Sequence, residues 1–99
     1  MSTPEPVNVR ILDREYTVGV VPGGRESLMS AARLLDGRMR EIRGGNRMVA
    51  IDRLAVLAAL NLAHELQQLR DEARQRDQEV ARILADLQRK LDALLDTAR

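Results

Sequence analysis

Residues 55–99, AVLAALNLAHELQQLRDEARQRDQEVARILADLQRKLDALLDTAR, contain no proline and no glycine. Their apolar residues recur at alternating steps of three and four, which predicts one long helix built to pair. Leu62, Leu66, Leu69, Ala73, Val80 and Ile83 follow the seam of a coiled coil, and Arg76 holds the one seam position that is not apolar. Leu84, Leu87, Leu91, Leu94 and Ala98 continue the seam in a shifted frame, with Val80 common to both frames. The shift amounts to a stutter, an insertion of four residues that locally unwinds a left-handed supercoil and broadens the apolar face. A broad face suits more than two helices. Val80, Ile83, Leu87 and Leu91 are therefore assigned to a distal association seam.

At its start this helix changes character. The run LAVLAALNLA at 54–63 is apolar nearly all round, with Asn61 its only polar residue. A helix of that kind is buried on most sides, and ten residues are too few to span a bilayer. A preceding helix is expected on one side and the same segment of a second chain on the other, so Leu57, Leu60 and Asn61 are the expected dimer interface. Asn61 either bonds across that interface and sets its register or sits at a wet rim.

Upstream, Val7, Val9 and Ile11 alternate with Asn8, Arg10 and Leu12, and Tyr16, Val18 and Val20 resume the alternation. Asp13, Arg14 and Glu15 supply turn chemistry between them, so the stretch reads as a hairpin. Pro22, Gly23 and Gly24 end it. Leu28, Ala32, Leu35, Met39 and Ile42 then share one face of a helix that Gly44 and Gly45 terminate. Asp52 is either the N-cap or a first-turn acid of the long helix, and residues 48–51 leave its start open. The fold class is α+β: a disordered N-terminus at 1–6, a head at 7–54 and a long C-terminal coiled-coil helix at 55–99. A two-stranded sheet is marginal alone, so the hairpin must pack on the first helix and is expected to extend a sheet across a subunit boundary.

Composition narrows the rest. The chain has 99 residues with no Phe, no Trp and one Tyr, so the core of so small a head is aliphatic and self-association is the expected remedy. The absence of cysteine excludes disulfides and thiolate metal sites and fits a reducing compartment. No signal-peptide pattern and no membrane-length apolar stretch occurs, which implies a soluble, cytoplasmic protein. Met1–Leu60 carries nine Arg against seven acidic residues and is mildly basic, whereas the remainder is mildly acidic. Arg38, Arg40, Arg43 and Arg47 face only Glu41, a run read first as a solvated helix face and second as a binding patch. Met29, Met39 and Met48 read as core filler.

Catalysis has little to stand on. His64 is the single histidine and lies among leucines, where a structural role outweighs catalysis or metal ligation. The stretch GGRES at 23–27 lacks the lysine and spacing of a phosphate loop. No enzyme activity, cofactor or metal is expected. Acids alternate with Arg along the helix, as in Glu72 with Arg76 and Asp86 with Lys90, which keeps it in solution. The rival class is a coiled-coil nucleic-acid-binding protein. A basic-zipper layout needs a basic helix continuous with the zipper, and Gly44 and Gly45 interrupt it.

The run VRILDREYTVGVVP at 9–22, Ser27 Leu28 and Ala31 Ala32 after it, and AVLAALNLAHEL at 55–66 resemble the ZapA family of bacterial cell-division proteins. Ala59 Leu60 Asn61 with Glu65 Leu66 is the most specific element, and the likeness covers nearly the whole chain from Val7. Asp13 stands where the family usually has Gly in the hairpin turn, and Val21 replaces a Cys that often precedes Pro22. The resemblance implies dimerisation through heads and proximal helices and an antiparallel tetramer through the distal coiled coils. It further implies binding to the tubulin-like GTPase FtsZ in the cytoplasm at the mid-cell division site, with bundling of its protofilaments and stabilisation of the Z-ring. A helix of about 45 residues is roughly 70 Å long, enough to hold two filaments apart at a set spacing. Exposed side chains beside the turn and the inter-helix loop, Arg14, Arg47, Asp52 and Arg53, are the expected FtsZ contacts.

Overall fold

The computed structural model describes residues 3–98. Two strands, β1 (Glu5–Ile11) and β2 (Arg14–Val20), are followed by two helices, α1 (Arg25–Arg43) and α2 (Ile51–Thr97). The architecture is the expected α+β hairpin, short helix and long helix.

The strands pair antiparallel, with Val9 opposite Tyr16 and Ile11 opposite Arg14. Side chains directly opposite share a face, so Val7, Val9, Ile11, Arg14, Tyr16 and Val18 lie on one side of the ribbon. Asn8 and Thr17 lie on the other, where the Thr17 hydroxyl donates to Asn8 Oδ1 at 2.7 Å. The turn consists of Leu12 and Asp13 alone, at φ 50° and 66°. Two successive positive φ values are the signature of a two-residue type I′ turn, whose twist matches that of the strands it joins. This corrects two expectations. Arg14 is the first residue of β2 and not a turn residue, because the shorter loop keeps it paired with Ile11. Leu12 does not continue the polar face of β1, because its left-handed backbone turns its side chain into the core, where it is 9% exposed.

The N-terminal boundary also moves. Residues 1–6 were expected to be disordered, yet Glu5 pairs with Val20 and Pro6 with Gly19. Met1 and Ser2 lie outside the described residues.

After β2 the chain reverses through Val21–Gly24. The Gly24 N–H donates to the Val21 carbonyl at 2.9 Å, and Gly23 takes φ 87°. Proline followed by a positive-φ glycine is what a type II turn requires. Helix α1 begins there, carries Glu26 in its first turn and Arg40 and Arg43 in its last, and so complements its own dipole at both ends. It stops at Gly44, whose φ is 56° and whose N–H donates to the Arg40 carbonyl. Helix α2 starts at Ile51, with the Leu54 N–H reaching the Ala50 carbonyl at 3.1 Å. Asp52 is therefore a first-turn acid, and Met48 and Val49 precede the helix.

The core is aliphatic and falls into two joined clusters. Val7 and Val9 pack on Ala32 of α1, with Leu28 and Met29 beside them. Leu12, Met39, Leu54 and Ala58 form the second cluster, flanked by Leu35, Val49 and Ile51. Ile11 packs against both. Met39 is core filler as expected, but Met48 is not: it is 92% exposed on the connecting loop.

The chain divides into two compact units, Met1–Leu62 and Ala63–Arg99. The first reaches beyond residue 54, the expected end of the head, because Leu54 and Ala58 supply part of its core. The second is helix alone. In it Asp71 pairs with Arg74 at 2.6 Å, and Asp86 pairs with Arg89 three residues on instead of Lys90.

Candidate functional site

The tip of the hairpin is tied to α1 by one carboxylate. Asp36 Oδ1 accepts the Leu12 N–H at 2.8 Å, and Asp36 Oδ2 accepts Arg40 Nε at 2.9 Å. Arg40 Nη2 also reaches Asp13 Oδ1 at 3.4 Å. The spacing of Asp36 and Arg40 places both on one face of α1. The Leu12 N–H, followed by the Arg40 guanidinium, holds the Asp36 carboxyl below its ordinary value, and Asp36 raises Arg40 in return. A lowered folded-state pKa stabilises above the ordinary carboxylate range, and that contribution is lost as pH falls through the folded value. Asp36→Asn is therefore expected to reduce the acid-induced loss of stability. Urea midpoints at pH 7 and pH 3, compared between parent and variant, measure it, and an equal fall in both would refute it.

The four expected partner-binding residues are all exposed. Arg14 opens β2 and Arg47 lies in the turn between α1 and α2. Asn46 Oδ1 accepts the Met48 N–H at 3.1 Å, which shapes that turn locally. Asp52 and Arg53 sit in the first turn of α2, with Asp52 Oδ1 accepting the Arg53 N–H at 2.9 Å. A groove of about 470 Å³ runs between the hairpin and the helices, lined by Ile11, Tyr16 and Val18, by Leu35, and by Ile51 and Asp52 among others. Ile11 and Tyr16 flank Arg14 on its face of the ribbon, so the groove brings Asp52 and the strand that carries Arg14 to one cavity. The arginine run divides by role. Arg38 Nη1 donates to Asn61 Oδ1 at 2.5 Å, linking α1 to α2. Arg40 serves the hairpin tip, Arg43 is half-buried and Arg47 is exposed.

Among the expected dimer residues, Leu57 is 38% and Leu60 66% exposed, while Asn61 is engaged by Arg38 of its own chain. Along the second unit Val80, Ile83, Leu87 and Leu91 form an apolar row that is 49–57% exposed in the single chain. His64 is exposed on α2. Among the described residues no group of three or more His, Cys, Asp or Glu is placed to hold a metal, and no helix is long and apolar enough to cross a membrane. Sequence reasoning missed the Asp36 clamp and the groove. The i,i+4 spacing of Asp36 and Arg40 was visible, but the third participant is a backbone N–H distant in sequence.

The sequence profile of the family described as cell division protein ZapA matches residues 7–97. The chain belongs to the ZapA family. It is 48% identical over 66 residues to cell division protein ZapA of Pseudomonas aeruginosa, an alignment covering 67% of this chain and 64% of that one. ZapA of Pectobacterium carotovorum is 30% identical over 96 residues, covering 96% of this chain and 88% of the relative. In solved structures the fold is similar to an unknown conserved bacterial protein from Pseudomonas aeruginosa PAO1, with TM-score 0.67 and 38% identity over 88% of this chain and 96% of that one. It is also similar to a ZapA mutant dimer from Geobacillus stearothermophilus, with TM-score 0.63 and 25% identity over 81% and 92% of the two chains. Asp13 takes φ 66° in the two-residue turn, a region that Asp tolerates better than most residues.

Proposed function

We propose that this ZapA-family chain is a cytoplasmic division scaffold that binds FtsZ at mid-cell, crosslinks and bundles its protofilaments and stabilises the Z-ring. The observation that carries the reading is the family match over nearly the whole chain, joined to a long helix whose apolar rows are exposed in the single chain. Leu57 and Leu60 are proposed to close a head-to-head dimer, with Asn61 held at its edge by Arg38. Val80, Ile83, Leu87 and Leu91 are proposed to join two dimers. Several weak filament contacts on one assembly raise avidity without tight binding to single subunits. No catalytic step is assigned. Nothing favours the nucleic-acid reading, because Arg38 and Arg40 are occupied within the chain and Gly44 separates their helix from the coiled coil.

Arg14, Arg47, Asp52 and Arg53 are the proposed FtsZ contacts, with Arg supplying most of the attraction to an acidic filament. Arg14→Glu and Arg47→Glu are each expected to weaken cosedimentation with FtsZ and GTP about tenfold while leaving the oligomer intact, a rim-charge effect of roughly 1–2 kcal/mol. The parental interaction is expected to fade with salt, as exposed pairs are screened beyond about 10 Å at 0.1 M. Unchanged pelleting in both variants, with no response to salt, would move the contact to the apolar groove. A DNA shift assay run beside it tests the rival class.

A further inference from the structure

We propose that Asp36 is a positioning residue for filament recognition: it holds the Leu12–Asp13 turn in its left-handed form and thereby sets how Arg14 is presented. The proposal rests on the FtsZ contact assigned above to Arg14 and adds a residue that touches no partner.

A type I′ turn is self-supporting when it contains Asn-Gly or Asp-Gly, because those residues accept positive φ at little cost. Here the first central residue is Leu at φ 50° and the second is Asp at φ 66°. A bulky side chain in that region is an outlier, and such strain persists only where the surroundings over-determine it. Two contacts do so. The Leu12 side chain is packed with Met39, Leu54 and Ala58, and its N–H is taken by Asp36 Oδ1 at 2.8 Å. Arg40 occupies the other carboxylate oxygen and reaches on to Asp13, so the clamp spans both turn residues. The lowered Asp36 pKa has the Leu12 N–H as its largest cause, in keeping with this geometry.

The consequence lies one residue on. Arg14 pairs with Ile11 as the last rung of the ladder, and a slip of one position carries a side chain to the opposite face of a ribbon. The alternating apolar residues hold the rest of the register, so loss of the clamp affects the tip first. A tip that samples several turns is competent for only part of the time, and apparent affinity falls by that fraction.

Cosedimentation with FtsZ and GTP, with sedimentation velocity to verify assembly, tests this in the full chain. Asp36→Ala is expected to weaken pelleting about three- to tenfold, for a competent fraction of roughly 0.1–0.3, and to shift the Leu12 amide resonance and speed its exchange. Asp36→Asn retains an acceptor for the Leu12 N–H and is expected to bind within about twofold of the parent. Parental binding by Asp36→Ala, with Arg14→Glu still defective, overturns the Asp36 role and leaves the filament contact standing. Parental binding by Arg14→Glu overturns the Arg14 contact and the proposal together, whatever Arg47→Glu does. A loss in Asp36→Asn as large as in Asp36→Ala overturns the clamp as the cause, and the Asn result decides even if Asp36→Ala does not assemble.

Discussion

Ile83→Glu and Leu87→Glu are each expected to sediment as two-chain species at concentrations where the parent is expected to form the proposed four-chain species. Ile83 is 50% and Leu87 57% exposed in the single chain, so a carboxylate at either position is solvated there without penalty. Assembly removes that water. An ionised carboxylate in an apolar seam must be desolvated, protonated or expelled, at a cost of several kcal/mol per chain. The whole advantage of an apolar row is about 25 cal/mol per Å² covered, so one such charge offsets the burial of two or three leucines. The head keeps its own core of Leu12, Met39, Leu54 and Ala58, none of which belongs to this row. Truncation of residues 80–99 is expected to give the same two-chain species. Four-chain species persisting in both variants would remove the distal seam from the assembly, and a monomeric truncation would show that the seam, and not the head, holds the dimer.

Leu54→Ala is expected to lower the stability of the head by about 2–5 kcal/mol, the range for a large-to-small change in a closed core. Leu54 is 1% exposed and shares its cluster with the hairpin tip and α1. The truncation leaves a cavity where three elements meet. Against a typical margin of about 5–15 kcal/mol for a small domain, that loss is severe. Met48→Ala supplies the control, since Met48 is 92% exposed and its change is expected within about 0.5 kcal/mol. Urea unfolding followed by circular dichroism, at one fixed chain concentration because assembly contributes to stability, measures both. A Leu54→Ala shift no larger than that of Met48→Ala would refute the placement of this cluster. Filament binding is expected to fall with stability in Leu54→Ala, in contrast to Arg14→Glu, where the oligomer remains.

Much of this protein was legible before any coordinates. The 4-3 spacing from Leu62 onward and the absence of Pro and Gly after Ala55 are local properties, and a helix is a local structure, so α2 follows from them directly. The alternation of Val7, Val9 and Ile11 with polar neighbours, and of Tyr16, Val18 and Val20 after them, fixed two strands for the same reason. Gly23 and Gly44 both take positive φ, and each had announced a break that only glycine makes cheaply. The family likeness was carried by short runs whose residues could be quoted.

Tertiary structure decided the rest, and it did so where partners lie far apart in the chain. The turn type is the clearest case. Asp13, Arg14 and Glu15 all favour turns, but the Leu12 side chain gains more by entering the core beside Leu54 than by continuing β1, and Asp36 captures the N–H that this exposes. Met48 has the same composition-based claim to the core as Met39, yet only Met39 lies on the face of α1 that meets α2. Asn61 is bonded to Arg38, 23 residues away, a pairing set by how α1 crosses α2. Periodicity says which residues share a face. Which face meets which, and which backbone group is left for a carboxylate to hold, is settled only when the elements pack.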